Sequence, residues 1–384
     1  MPNELCRFRR HIFLVLPHFF FIYAHVKKIE SIGMAGTNGT SIIIGKGTFG
    51  KVYRHKRSDG LVVARKVFKC PLENGVEKSS LREITAHRNI SDQHVCQAVK
   101  FNVGTDDIKQ KFITHLDMKL YDFDLLTFME NYETGVLPHA IIHNILKDVT
   151  AGMIALWSKY FLHRDIKCSN IFVRCKKTRF YACLGDLGSS KRMFGHGGRE
   201  VDSPCVTTYI FSGQEVLRSA LSSRFEHRPL YSVAAEMFSL GCVLWYLAYG
   251  KNLFRDGTVE HILTQQVSFA KMAGRKDNLD RECIKCILQL LNENGIKSVD
   301  PLAWRFPTHH PQLMHEYWDL FVSMTRLCPS NRITLSGMNR ALDGILSRCS
   351  NEYKVSLEEQ RFIVMRKEDA YYPIWRRKKI PMDL

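Results

Sequence analysis

His163-Arg164-Asp165-Ile166-Lys167-Cys168-Ser169-Asn170 is the stretch on which the reading of this 384-residue chain turns. It gathers an imidazole, a guanidinium, a carboxylate, an ammonium and a carboxamide within eight residues. Asp186, in Gly185-Asp186-Leu187-Gly188, follows Asn170 by sixteen residues. Immediately upstream, residues 139–162 (HAIIHNILKDVTAGMIALWSKYFL) carry apolar side chains at helical spacing, and the same period returns over 231–250, 281–294, 312–327 and 334–348. Before about Tyr121 the text differs. SIIIGKGTFGKVYRHKR from Ser41 is a β-rich run broken by glycines, LVVARKVFK from Leu61 is a second strand, and KFITHLDM from Lys111 is a further short apolar run. Residues 76–90 contain no Gly or Pro and read as a helix. The pattern predicts an α+β fold in two lobes, one small and β-rich, one large and helical, with a ligand cleft between them.

Within the β-rich part, Ile44-Gly45-Lys46-Gly47-Thr48-Phe49-Gly50-Lys51-Val52 matches GxGxxGxV. Glycines there let backbone N–H groups approach phosphate oxygens with no Cβ in the way. A dinucleotide-binding loop would run into a helix, whereas Lys51-Val52-Tyr53-Arg54 continues as strand. The spacing is also not GxxxxGK[ST]. Sixteen residues after Gly50, Lys66 lies in Val63-Ala64-Arg65-Lys66-Val67, a strand otherwise made for burial. A lysine in such a place needs an anion, and a phosphate is one candidate. Glu83, in the following helix, would hold it by an ion pair; Glu77 is the runner-up, but its spacing puts it on a different helix face.

Together these segments resemble the eukaryotic-type protein kinases. HRDIKCSN is similar to the family's HRDxKxxN loop, and Gly185-Asp186-Leu187-Gly188 to its DFG segment, with Leu187 for the usual Phe. The glycine loop, Lys66 and Glu83 fall in the family's order. The resemblance implies a bilobal protein-kinase-like fold over residues 40–345, with an N-lobe at about 40–120 and a C-lobe at about 121–345. It implies transfer of the γ-phosphate of MgATP to Ser or Thr hydroxyls of protein substrates. Asp165 would then accept the hydroxyl proton or orient that hydroxyl, and Lys167 would sit on the transferring phosphoryl group. Asn170 and Asp186 would hold Mg²⁺, a hard cation suited to oxygen ligands. Ile44, Gly45, Lys46, Gly47, Thr48, Phe49, Gly50 and Val52, with Lys66 and Glu83, would bind the nucleotide, and the adenine hinge would lie near Met118–Asp122. An ATP-binding pseudokinase or scaffold is the competing reading, although neither the lysine nor either aspartate is missing.

On the substrate side, Lys167 matches the serine/threonine version of the loop, and Thr208-Tyr209-Ile210-Phe211-Ser212-Gly213-Gln214-Glu215 aligns with the family's TxxYxAPE. Thr208 would bridge Asp165 and Lys167, and Glu215 would pair with Arg332 in Pro329-Ser330-Asn331-Arg332. Gly213-Gln214 replaces Ala-Pro, and Glu236 stands where Asp is normal. These departures suggest a divergent lineage, with a virus among the candidate sources. Arg164 could receive a phosphorylated segment, for which Ser189, Ser190, Ser203 and Thr207 are candidates. Glu236 and Arg332 are 96 residues apart, and the extra material around 270–312 resembles in length the insert of the cyclin-dependent and MAP kinases. Ser212 stands where the proline-directed Arg belongs, so neither that group nor a cyclin-like partner is assigned.

Composition bounds the rest. With 45 % hydrophobic and 24 % charged residues the chain reads as soluble and globular, neither disordered nor collagen-like. A net charge of +17 favours anionic partners, but no nucleic-acid motif accompanies it, and no specific nucleic-acid binding is expected. Twelve scattered cysteines, several within apolar runs such as that around Cys242, suggest reduced thiols in a cytoplasmic or nuclear protein. Cys283 and Cys286 form a CxxC without a second pair at zinc spacing, so no metal is expected there. Residues 12–24 (IFLVLPHFFFIYA) follow Arg7, Arg9 and Arg10 and resemble a signal peptide, but Pro17 and His18 interrupt them. Translation from Met34 would delete this extension, residues 1–33; membrane association through residues 12–26 and a packed extension are the alternatives. The tail, residues 346–384, carries Arg376-Arg377-Lys378-Lys379, a solvated basic terminus or an import signal.

Overall fold

The computed structural model describes residues 41–47, 50–68, 78–105, 111–130, 137–176, 179–193, 208–221, 231–273, 279–300, 302–305 and 312–348. Thr48, Phe49, Glu77, Ser203, Thr207, the apolar stretch 12–24 and the basic tail lie outside them. The two-lobed α+β architecture is present. Strands β1 (Ser41–Gly47), β2 (Gly50–Lys56), β3 (Val62–Phe68), β4 (Ala98–Thr105) and β5 (Lys111–Lys119) form an antiparallel sheet in the order β1-β2-β3-β5-β4. Helix α1 (Lys78–Asn89) contributes Ile84 to a small core with Ala64, Leu116 and Met118.

The centre of that sheet carries two adjacent cations. Successive strand residues point to opposite faces, so Arg65 and Lys66, 8 % and 7 % exposed, need separate counter-ions. Arg65 stands opposite Asp117 of β5 in register, and its Nε and Nη2 donate to Asp117 Oδ1 and Oδ2 at 2.7 and 2.9 Å. Lys66 turns the other way, toward α1 and the helical lobe.

Leu120, Tyr121 and Asp122 lead from β5 to β6 (Phe123–Asp124), which joins β8 (Ile171–Lys176) and β9 (Arg179–Leu184) in a second sheet of order β6-β8-β9. Asp122 N–H donates to Val173 O at 3.1 Å and Arg174 Nη2 to Leu120 O at 2.6 Å, tying this connection to β8. The helical lobe comprises α2 (Leu125–Glu130), α3 (His139–Ser158), α4 (Gln214–Leu221), α5 (Val233–Tyr249), α6 (Val259–Ala273), α7 (Arg281–Glu293), α8 (Gln312–Met324) and α9 (Leu335–Arg348). Helix α5 is apolar nearly all round and is accordingly buried along its length, as a core helix should be. Among the described residues no helix is long and apolar enough to cross a membrane.

The helical period expected over 139–162 stops early. Helix α3 ends at Ser158, Tyr160 turns the chain with φ +62°, and Phe161–Leu162 form strand β7, paired with β10 (Lys191–Arg192). Phe161 and Leu162 are buried there, so sheet pairing overrode the apolar spacing. Inside α3, Gly152 admits a neighbouring segment: a Cβ would stand 2.5 Å from His94 O. That carbonyl also accepts the N–H of Leu184 at 2.9 Å, so the segment after α1 is threaded between α3 and β9. Gly152→Ala is expected to destabilise the fold by about 1–3 kcal/mol, seen as a lower urea midpoint. An unchanged midpoint would show that the segment moves aside at no cost.

Candidate active site

The loop His163–Asn170 hangs between β7 and β8 and is held from beneath by α5. Arg164 has a left-handed backbone, φ +67°, which an arginine adopts only under compulsion. The compulsion is Glu236. Its Oε1 accepts the N–H groups of both His163 and Arg164, the latter at 2.9 Å. Burial pushes the Glu236 carboxyl up to about 7 against the pull of those donors. His163 is neutral, its pKa lowered by burial, and its tautomer is fixed. Because a carbonyl can only accept, Nε2 carries the proton to Gly185 O at 2.7 Å, leaving Nδ1 to accept from Asp165 N at 3.3 Å.

Glu236 gives a pH prediction whose sign is definite. A carboxyl raised from 4.5 to about 7 by folding favours the folded state fully below pH 4.5, and that contribution is lost as pH rises through 7. Relative to Glu236→Gln, which keeps the acceptor oxygen, the wild type should lose roughly 3 kcal/mol between those limits. Urea titrations of both proteins at pH 5 and pH 8 read the difference directly. A constant difference would show that Glu236 does not titrate in this window.

Asp165 is surrounded by donors. Its Oδ1 accepts the N–H and Oγ1 of Thr208, both at 3.1 Å, and its Oδ2 accepts Asn170 Nδ2 at 2.9 Å and Lys167 Nζ at 2.7 Å. Lys167 Nζ also donates to Thr208 Oγ1 at 2.8 Å, so carboxylate, ammonium and hydroxyl close a ring. Asn170 Nδ2 additionally donates to Asp165 O at 2.8 Å. Both amide protons thus face Asp165, and the amide oxygen is turned away from it.

Opposite this ring, Lys66 Nζ donates to Glu83 Oε1 and Oε2 at 2.9 and 2.7 Å and to Asp186 Oδ1 at 2.9 Å. Burial pulls the Lys66 ammonium down, but the Glu83 and Asp186 carboxylates outweigh it and hold it above its ordinary value. For Asp186 burial acts upward, and Lys66 outweighs it, keeping the carboxyl below the usual range. Asp186 sits at φ +51°, and Leu187 behind it is buried in the main core as the start of a short turn packed on α1. Gly45 lies opposite Val52 across the β1–β2 hairpin, with Ile44 and Lys46 on the same strand. Met118 lies opposite Ala64, and Lys119–Asp122 continue from it between the lobes.

Arg332 is fully buried. Its five N–H groups go to both Glu215 oxygens, at 2.6 and 2.8 Å, and to the carbonyls of Arg326, Ala234 and Leu327. Gly213 makes room for this pair, since a Cβ there would stand 2.6 Å from Glu215 Oε2. Ser189 and Ser190 are buried, and Ser190 Oγ donates to Leu187 O at 2.6 Å, which removes both as accessible phosphate acceptors. Arg164 Nε donates instead to Ser189 O at 2.8 Å. Phe172 is a residue the sequence reading passed over: its ring stacks on Tyr121 at 5.7 Å, two residues beyond Asn170. A large aromatic so close to Asn170 was the available signal.

Among the described residues no group of three or more His, Cys, Asp or Glu side chains stands where it could hold a metal ion, Cys283 and Cys286 included. Asp186 nevertheless offers a carboxylate, one oxygen of which accepts from Lys66, and Asn170 an amide oxygen that its bonds to Asp165 leave uncommitted. Two protein oxygens suit a Mg²⁺ ion that takes its remaining ligands from phosphates and water.

The model of the protein kinase domain matches residues 40–342. The chain belongs to the protein kinase family. Among its relatives, cyclin-dependent kinase B2-1 of Arabidopsis thaliana is 28 % identical over 226 residues, 57 % of this chain and 68 % of that protein. Serine/threonine-protein kinase ATG1a of Arabidopsis thaliana is 23 % identical over 360 residues, 88 % of this chain but only 54 % of that protein, so the kinase spans about half of ATG1a. A chain in the structure of the CAK complex from Chaetomium thermophilum bound to ATP-gamma-S shares the fold, with a TM-score of 0.57 at 19 % identity. That match covers 78 % of this kinase and 88 % of that chain.

Proposed function

We propose that this kinase transfers the γ-phosphate of ATP to serine or threonine hydroxyls of proteins. The observation that carries the reading is the closed ring of Asp165, Lys167 and Thr208 facing the Lys66–Glu83–Asp186 cluster. Asp165 is presented with four donors, and a substrate hydroxyl would replace one of them and pass its proton to the carboxylate. Lys167 would offset charge on the phosphoryl group in transit, and Lys66, steadied by Glu83, would turn from Asp186 to phosphate oxygens. Mg²⁺, held by Asn170 and Asp186, would supply neutralisation of the phosphate charge. Thr208, bonded to both catalytic-loop charges, supports a serine or threonine acceptor. Cys96, Cys168, Cys183 and Cys242 are buried free thiols, which supports a cytoplasmic or nuclear location over a secreted one; imaging of a tagged chain checks that assignment.

The test is transfer of labelled γ-phosphate from MgATP into mixed acidic and basic proteins, followed by phospho-amino-acid analysis. Label on serine or threonine is expected. Label on tyrosine would overturn the acceptor assignment. No label from folded protein that still binds ATP would make the chain a pseudokinase or scaffold.

A further inference from the structure

The segment Thr208–Ser212 starts on Asp165 and ends where Gly213 leads into the Glu215–Arg332 pair. The carbonyls of Thr208, Tyr209, Phe211 and Ser212 are each engaged. Thr208 O accepts the N–H of Phe211 at 2.9 Å and the Ser212 hydroxyl at 3.2 Å, and Tyr209 O accepts the N–H of Ser212 at 2.9 Å. The carbonyls of Phe211 and Ser212 are taken by side chains from other elements. Ser239 Oγ on α5 donates to Phe211 O at 2.8 Å, and Gln266 Nε2 on α6 donates to Ser212 O at 2.8 Å. Ser239 is 2 % exposed and Gln266 0 %.

Gln266 is an unusual residue for such a position. Its amide is wholly buried, and its Oε1 has no hydrogen-bond partner among the described residues. The orientation is forced, because Ser212 O can only accept and must face the amide nitrogen. A methionine would fill nearly the same volume without the orphaned acceptor, so packing does not account for glutamine; the bond its nitrogen makes does. We infer that Gln266 is a positioning residue for the protein acceptor, its bond to Ser212 O setting where the segment 208–212 lies against Asp165, with Ser239 as a second support. The inference rests on the kinase reading above. Gln266 bonds to none of Lys66, Asn170 and Asp186, so its effect falls on the protein acceptor and spares the nucleotide.

The test compares the full chain with Gln266→Met, following labelled phosphate into a mixed protein substrate. The expected result is a roughly ten-fold lower kcat/KM for the protein substrate, the size of one lost buried hydrogen bond. KM for ATP and the protein-free hydrolysis of ATP should stay within about two-fold of wild type on the same argument. Equal kcat/KM in the two proteins would overturn the inference, as would a parallel loss in ATP affinity and hydrolysis, which marks general damage. If Gln266→Met does not fold, Ser239→Ala is read in the same way, with a smaller loss expected and equal rates again overturning the idea. Wild-type protein that binds ATP yet labels nothing removes the kinase reading and this inference with it; labelling by both proteins alike removes only this inference.

Discussion

Asp165→Asn should lower phosphate transfer to protein by about 10²–10⁴-fold, the usual worth of a positioned general base, while nucleotide affinity is retained. The reason lies in the donor set. An asparagine oxygen can still accept from Thr208, but its amide nitrogen would present protons to Lys167 Nζ and Asn170 Nδ2, which themselves only donate. The carboxylate is lost as a proton acceptor, and Lys167 loses its counter-ion. Initial rates with a protein acceptor, beside fluorescence titration with ATP, separate the two effects. A loss below ten-fold would show that the hydroxyl proton goes elsewhere.

Lys66→Met should be costly in two independent ways. Glu83 is 0 % exposed, and removing its cation leaves a buried carboxylate uncompensated, worth about 3–5 kcal/mol. Burial already raises the Glu83 carboxyl above its ordinary value against the pull of Lys66; without that cation it would rise further, so the loss should deepen as pH rises from acid to neutral. The double variant Lys66→Met/Glu83→Gln should recover much of the stability and none of the activity. Chemical denaturation of the three proteins at pH 5 and pH 8 checks this; a double variant no more stable than the single one would show that the ion pair is not the source of the loss.

Much of this site was legible in the residues because chemistry imposed short-range order on them. The loop His163–Asn170 and the lysine in an apolar strand stand out by composition alone. Glu83 was reachable from helix geometry, since only one face of α1 can meet β3. What the pattern hid was mostly long-range. Gln266 carries no local mark, and its meaning appears only when α6 is laid beside Ser212, 54 residues away in sequence. Helix α6 itself went unread. The end of α3 was misjudged because Phe161 and Leu162 continue an apolar period that only their pairing with Lys191–Arg192 interrupts. Ser189 and Ser190 look like any loop serines until the turn after Asp186 buries them.

The two adjacent cations of β3 also guard the assembly of the sheet. Sliding β3 by a single residue would exchange the faces of its whole side-chain set. Arg65 would then be turned toward Glu83 and Lys66 toward Asp117, a longer and a shorter side chain each in the place of the other. A sheet of apolar strands alone would tolerate such slippage, at the cost of little more than imperfect packing. Here a mispaired hairpin loses the bidentate Arg65–Asp117 pair on one side and the Lys66–Glu83 pair on the other, so a misaligned sheet leaves two buried cations without their counter-ions.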